Sequence, residues 1–139
     1  MECTVKWIEG GMSFVAETAS GHAFVMDGAP EAGGRNIGPR PMETVLAGTG
    51  GCTAFDVVLI LRKSGQEISG CEVRLAAERA ETDPKIFTRI HMHFVVRGRN
   101  VKPSLVESAI KLSHNKYCSA SAMLGKTAAI THDYEIIEQ

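Results

Sequence analysis

One segment governs what this chain can fold into. From Pro41 to Leu61 the text is apolar almost without interruption, in the middle of a polypeptide of 139 residues. Its opening reads as a helix start: proline suits a first turn, and Glu43 lies near the positive end of the helix dipole. Met42, Val45, Leu46 and Thr49 mark one stripe, and Phe55 to Leu61 is apolar nearly all round. A helix without a polar face is buried, so this one is expected at the centre of the molecule. Arg62-Lys63 followed by Ser64-Gly65 supplies the stop. The same stretch is the only candidate for a membrane span. Glu43, Asp56 and the glycines Gly48, Gly50 and Gly51 favour a core helix instead.

A chain of this length fits one domain, spanning residues 1–139, large enough to bury about two-thirds of its unfolded surface. The net charge of -1 leaves no basic stripe to neutralise phosphates, which argues against nucleic-acid binding. Glu2 and Lys6 interrupt the start, and no apolar signal-peptide core follows. A cytoplasmic setting is expected, where the four cysteines stay mostly reduced and any disulfide is transient and catalytic.

Around the helix the text is strand-like. Residues 2–26 read as a three-strand meander with turns at Glu9-Gly10-Gly11 and Ala19-Ser20-Gly21-His22. Asp27 to Arg40 is a glycine-rich loop with no periodicity, and long loops in small domains are more often functional than idle. Residues 71–80 and 86–97 read as antiparallel strands, with Val73, Leu75 and Ala77 facing Ile90, Met92, Phe94 and Val96. The other face carries Glu72, Arg74 and Glu78 with Arg89, His91, His93 and Arg97. Pro103 opens a helix with Leu105, Ala109 and Ile110 inward. A short helix follows from Cys118 to Leu124, then a last strand marked by Ala128, Ile130 and Ile136. This order predicts an α+β fold with antiparallel sheets packed on a long central helix.

Two thiols stand out. Cys52 lies among helical glycines that each cost about 0.8–1 kcal/mol against alanine, a cost that asks for close backbone approach or exposed N–H groups in return. It reads either as a nucleophile or as a small core residue. Cys118 heads a short helix after Ser113-His114-Asn115-Lys116-Tyr117, where N–H groups and nearby positive charge would lower its pKa. Cys3 and Cys71 lie in strand-like text and read as small hydrophobes. Arg35 and Arg40, in the glycine-rich loop, could reach a thiolate or a substrate oxygen. His91 and His93 share a strand face at metal-compatible spacing but have no evident third ligand. No metal or other cofactor is expected.

The segment GPRPMETVLAGTGGC, Gly38 to Cys52, continuing TAFDVVLILRK, resembles the start of the central helix in the OsmC/Ohr family. SHNKYCSASAMLGK, Ser113 to Lys126, resembles that family's second cysteine segment, and the match is closest to the YhfA-like branch. The resemblance implies an intertwined homodimer with each active site at the subunit interface. It also implies thiol-dependent reduction of peroxides, organic hydroperoxides above all, with Cys52 peroxidatic and Cys118 resolving. An external dithiol would then restore the pair. One position departs from the family's peroxidases. The glutamate that holds their active-site arginine, ten residues before the first cysteine, is Met42 here. Glu43 stands one step on, turned by about 100° around a helix. Two rivals to the peroxidase expectation are a non-enzymatic module binding a hydrophobic ligand at the dimer interface, and a metal site of Cys52, Cys118 and His114.

Overall fold

The computed structural model describes residues 1–139. By backbone contacts the chain divides into two compact units, Met1–Ala47 and Gly48–Gln139.

In the first unit, β1 (Cys3–Ile8), β2 (Ser13–Thr18) and β3 (Ala23–Asp27) form an antiparallel sheet in the order β1-β2-β3, the meander that the alternation predicts. Trp7 pairs with Phe14 and Val5 with Ala16, so the register follows the period-two pattern. The loop beyond β3 is organised by one carboxylate. Asp27 is fully buried and accepts the N–H groups of Gly28 (2.8 Å), Arg35 (3.0 Å) and Ile37 (3.3 Å). These bonds offset the effect of burial, which alone would raise its pKa, and hold the carboxyl below its ordinary range. The loop is folded tightly enough that a Cβ at Gly34 would overlap the Gly28 carbonyl.

α1 (Pro41–Lys63) starts in the first unit and continues into the second. Glu43 reaches back to the N–H of Arg40, the residue before the helix, at 2.8 Å, which satisfies one of the donors a helix start leaves open. At the far end Gly65 takes φ +75°. Its N–H bonds to Arg62 O and that of Gln66 to Leu61 O, both at 3.0 Å, closing the helix with the paired bonds of a glycine C-cap. Between these ends the structure corrects the expectation of burial all round. Only Thr49, Gly50, Thr53, Val57 and Leu61 are buried, a single i, i+4 stripe. Phe55 stays 68% exposed, with Val45 and Leu59 also open. α1 is the one helix long and apolar enough to cross a bilayer, and its buried stripe packs against protein. Gly50 explains itself: a Cβ there would come within 2.7 Å of Leu75 Cδ1 on the adjacent strand. Gly48 and Gly51 face open space within the chain.

The second sheet has the order β4 (Glu67–Arg79), β5 (Phe87–Arg99), β6 (Ala129–Glu138). β4 and β5 pair antiparallel with Val73 opposite Phe94, Leu75 opposite Met92 and Ala77 opposite Ile90, as the alternation requires. Ile90, Met92, Phe94 and Val96 are fully buried and form the core with Val57 and Leu61 of α1 and Val106 of α2 (Pro103–Leu112). On α2 the buried stripe is Val106, Ala109 and Ile110; Leu105, expected inward, is only half-buried. The α+β class stands, but β6 runs parallel to β5, so this sheet is mixed. A parallel neighbour requires a long crossover. α2, a one-turn π-helix (Ser113–Tyr117) and α3 (Ser119–Leu124) form it.

Candidate active site at the paired cysteines

Cys52 lies on α1, one turn before Asp56, and Cys118 caps the start of α3. The structure makes the two sulfurs neighbours, close enough for each to bear on the other's ionisation, and both are free thiols. Local chain geometry accounts for this. The π-turn Ser113–Tyr117 ends the crossover's first helix and directs Cys118 inward, where its side chain is 2% exposed. Insertions of this kind are frequent at functional sites. Cys118 itself is extended, and its Sγ accepts the Ser121 N–H at 3.4 Å, serving as the N-cap of α3.

The two thiols diverge in ionisation. For Cys52, burial pushes the pKa up, and the Asp56 carboxylate adds to the rise. The Ala120 N–H, the Cys118 thiol and the Ser119 hydroxyl outweigh both and bring Cys52 below its ordinary value. For Cys118, burial is the leading effect, the Cys52 sulfur adds to it, and the pKa rises despite the donors of Ser121. Cys52 is therefore the first of the pair to ionise. The sequence had pointed to Lys116 and His114 as the positive surroundings of Cys118. Lys116 instead lies over the Tyr117 ring, its Nζ 5.3 Å from the centroid. The His114 ring packs edge-on against His132 with centroids 4.6 Å apart. Burial, with some repulsion from His114 and His91, lowers His132 to about 4, so it is neutral near pH 7.

Arg35, Arg40 and Glu43 all lie in the Met1–Ala47 unit. Arg40 donates from Nη1 to Asn36 Oδ1 at 2.6 Å, and its Nε is 3.9 Å from Glu43 Oε1. The Arg35 guanidinium lies against the backbone at Gly11, where an added Cβ would stand 3.3 Å from Nε. His91 and His93 find partners that the strand alone could not reveal. Asp133 of β6 bonds both, at 3.0 and 2.7 Å, and Glu135 bonds His93 at 3.1 Å. No group of three or more histidine, cysteine or acidic side chains has a geometry that could hold a metal ion.

Sequence reasoning missed one polar cluster. Ser113 Oγ donates to Asp56 Oδ2 at 2.9 Å and lies 2.9 Å from Thr53 Oγ1, with Ser113 and Thr53 both buried. The available signal was Asp56, a carboxylate inside an otherwise apolar helix.

The model of the OsmC-like protein family matches residues 33–133, the span that carries both cysteines. The chain belongs to the OsmC family. Protein YhfA of Escherichia coli K12 is 48% identical over 137 residues, covering 99% of this chain and 98% of that one. Among solved structures, a hypothetical protein from Aquifex aeolicus superposes with a TM-score of 0.86 at 29% identity, covering 99% and 96% of the two chains. An organic hydroperoxide resistance protein OsmC from Legionella pneumophila shares the fold at a TM-score of 0.69 and 14% identity, with 97% of each chain covered. The OsmC-family match spans Cys52 and Cys118, and at the start of α1 Met42 stands beside Glu43, whose carboxylate accepts the Arg40 N–H.

Proposed function

We propose that this OsmC-family protein is a cytoplasmic, thiol-dependent peroxide reductase that works as a homodimer, with Cys52 peroxidatic and Cys118 resolving. The observation that carries the reading is the asymmetry of the neighbouring thiols: Cys52 is brought down by donors on α3 and by Cys118, while Cys118 is buried and held up. The hydroperoxide resistance ascribed to the Legionella relative supports the substrate class.

The Cys52 thiolate attacks one oxygen of a hydroperoxide. An S–O bond forms and the O–O bond breaks; sulfur loses two electrons, and the other fragment leaves as an alcohol after taking a proton. Cys118 then attacks the Cys52 sulfenic acid. The S–S bond forms, the S–O bond breaks, and the Cys118 proton leaves with the hydroxyl as water. An external dithiol reduces the disulfide. Arg35 and Arg40 are the two candidates for the guanidinium that meets the peroxide, and Arg40 is tied to Asn36 and Glu43. Glu43 serves this arginine loop by capping it. The uncovered face of α1, from Gly51 through Phe55 and Leu59, is the surface on which two copies would meet.

The test is to treat reduced protein with cumene hydroperoxide and follow its thiols by mass spectrometry while assaying peroxide consumption with a dithiol. A Cys52–Cys118 disulfide, with turnover abolished in Cys52→Ser, is expected. Undiminished turnover in that variant would end the proposal.

A further inference from the structure

Ser113 is bonded in two directions at once. Its backbone carbonyl accepts the N–H of Cys118 at 2.8 Å, so it fixes the peptide that carries the second thiol. Its hydroxyl, on the other side, is anchored to α1 one residue and one turn beyond Cys52. The single hydroxyl proton goes to Asp56 Oδ2, because a carboxylate only accepts, and Thr53 Oγ1 then donates to Ser113 Oγ. Both hydroxyl residues are buried, and a buried hydroxyl stripped of its partner is costly, so the register of this contact is strongly specified. No other residue bonds both to the Cys118 peptide and to the helix of Cys52.

The geometry points to Ser113, with Thr53 and Asp56, as a clasp of positioning residues that sets the Cys52–Cys118 spacing and thereby the rate at which the disulfide closes. None of the three touches the reacting oxygen. Their positional effect falls on the second step, in which Cys118 must approach the Cys52 sulfenic sulfur in line with the departing hydroxyl; Asp56 also bears on the first step through its charge, so the test is made at Ser113 and Thr53. Displacement of about 1 Å at such a step costs on the order of 100-fold in rate. The first step needs only Cys52 and the α3 donors, which the clasp does not supply.

The inference rests on the peroxide reading for its natural oxidant, and the experiment separates the two. Full-length reduced protein receives one equivalent of cumene hydroperoxide; Cys52 sulfenic acid is trapped with dimedone and the disulfide is followed by mass spectrometry against time. Ser113→Ala should form sulfenic acid within about twofold of wild type but close the disulfide at least tenfold more slowly, so that trapped sulfenic acid accumulates. A wild-type closing rate in Ser113→Ala, or equal slowing of both steps, overturns the clasp. Where circular dichroism shows that Ser113→Ala does not fold, Thr53→Val removes one bond at constant shape, and Thr53→Ser restores it. Slow closure in the first with recovery in the second is expected; an unchanged rate in Thr53→Val is fatal. Diamide, which takes two electrons and two protons from a dithiol and becomes its hydrazine, gives an arm independent of peroxide. If wild type ignores peroxide yet closes with diamide faster than Ser113→Ala, the peroxidase reading falls and the clasp remains.

Discussion

Cys52 and Cys118 are identical in chemistry, and their surroundings push them apart. Donors at Ala120, Ser119 and Cys118 bring Cys52 down, whereas burial and the Cys52 sulfur hold Cys118 up despite the Ser121 donors. The Asp56 charge works against the Cys52 thiolate. Alkylation by iodoacetamide should therefore proceed at Cys52 ahead of Cys118, with a midpoint below that of an ordinary thiol. In Asp56→Asn the negative charge is gone, so the Cys52 midpoint should move to lower pH. Peptide-resolved alkylation across a pH series checks both; a midpoint that rises in Asp56→Asn would reverse the assigned sign. The residues that set this difference were only partly legible in the sequence. The two thiols were evident, but their partners come from α1 and α3, far apart in the chain, and Ser119 and Ala120 carry no signature of their own. The same distance hid the partners of His91 and His93, which arrive from β6.

Among the elements, α1 shows what a glycine cluster can mean. Gly50 is required by Leu75, and Gly48 is not required by anything in the same chain. Gly50→Val should lower stability by about 1–3 kcal/mol through overpacking, read from the urea midpoint. Gly48→Ala should gain up to about 1 kcal/mol of helix propensity if the helix stands alone. A loss at Gly48 instead, deepening with protein concentration, marks a helix crowded by a second copy, and this loss is the expected result. The caps and the period-two strands were readable from sequence because they rest on neighbouring residues. The π-turn was not, since a single extra residue in a helical turn leaves no periodic trace, and β6 could not be assigned a direction until its ladder with β5 was seen.

At the scale of the molecule, an apolar helix face with Phe55 68% exposed is costly to leave in water. Light scattering should give twice the chain mass of 15.0 kDa, and Phe55→Glu should shift the population toward the single chain. A monomer at micromolar concentration would remove the homodimer from the proposal. The α+β order was legible because each element is specified locally by its own apolar period. Closure of α1 was not, because an apolar surface says that it needs cover without saying what supplies it.

β6 can lie parallel to β5 only if the polypeptide travels back across the molecule first, and the second sulfur rides on that return journey. The connection is thus framework and site at once: Val106, Ala109 and Ile110 bury one side of it in the core, so any change in its length or winding displaces Cys118 and the packing together.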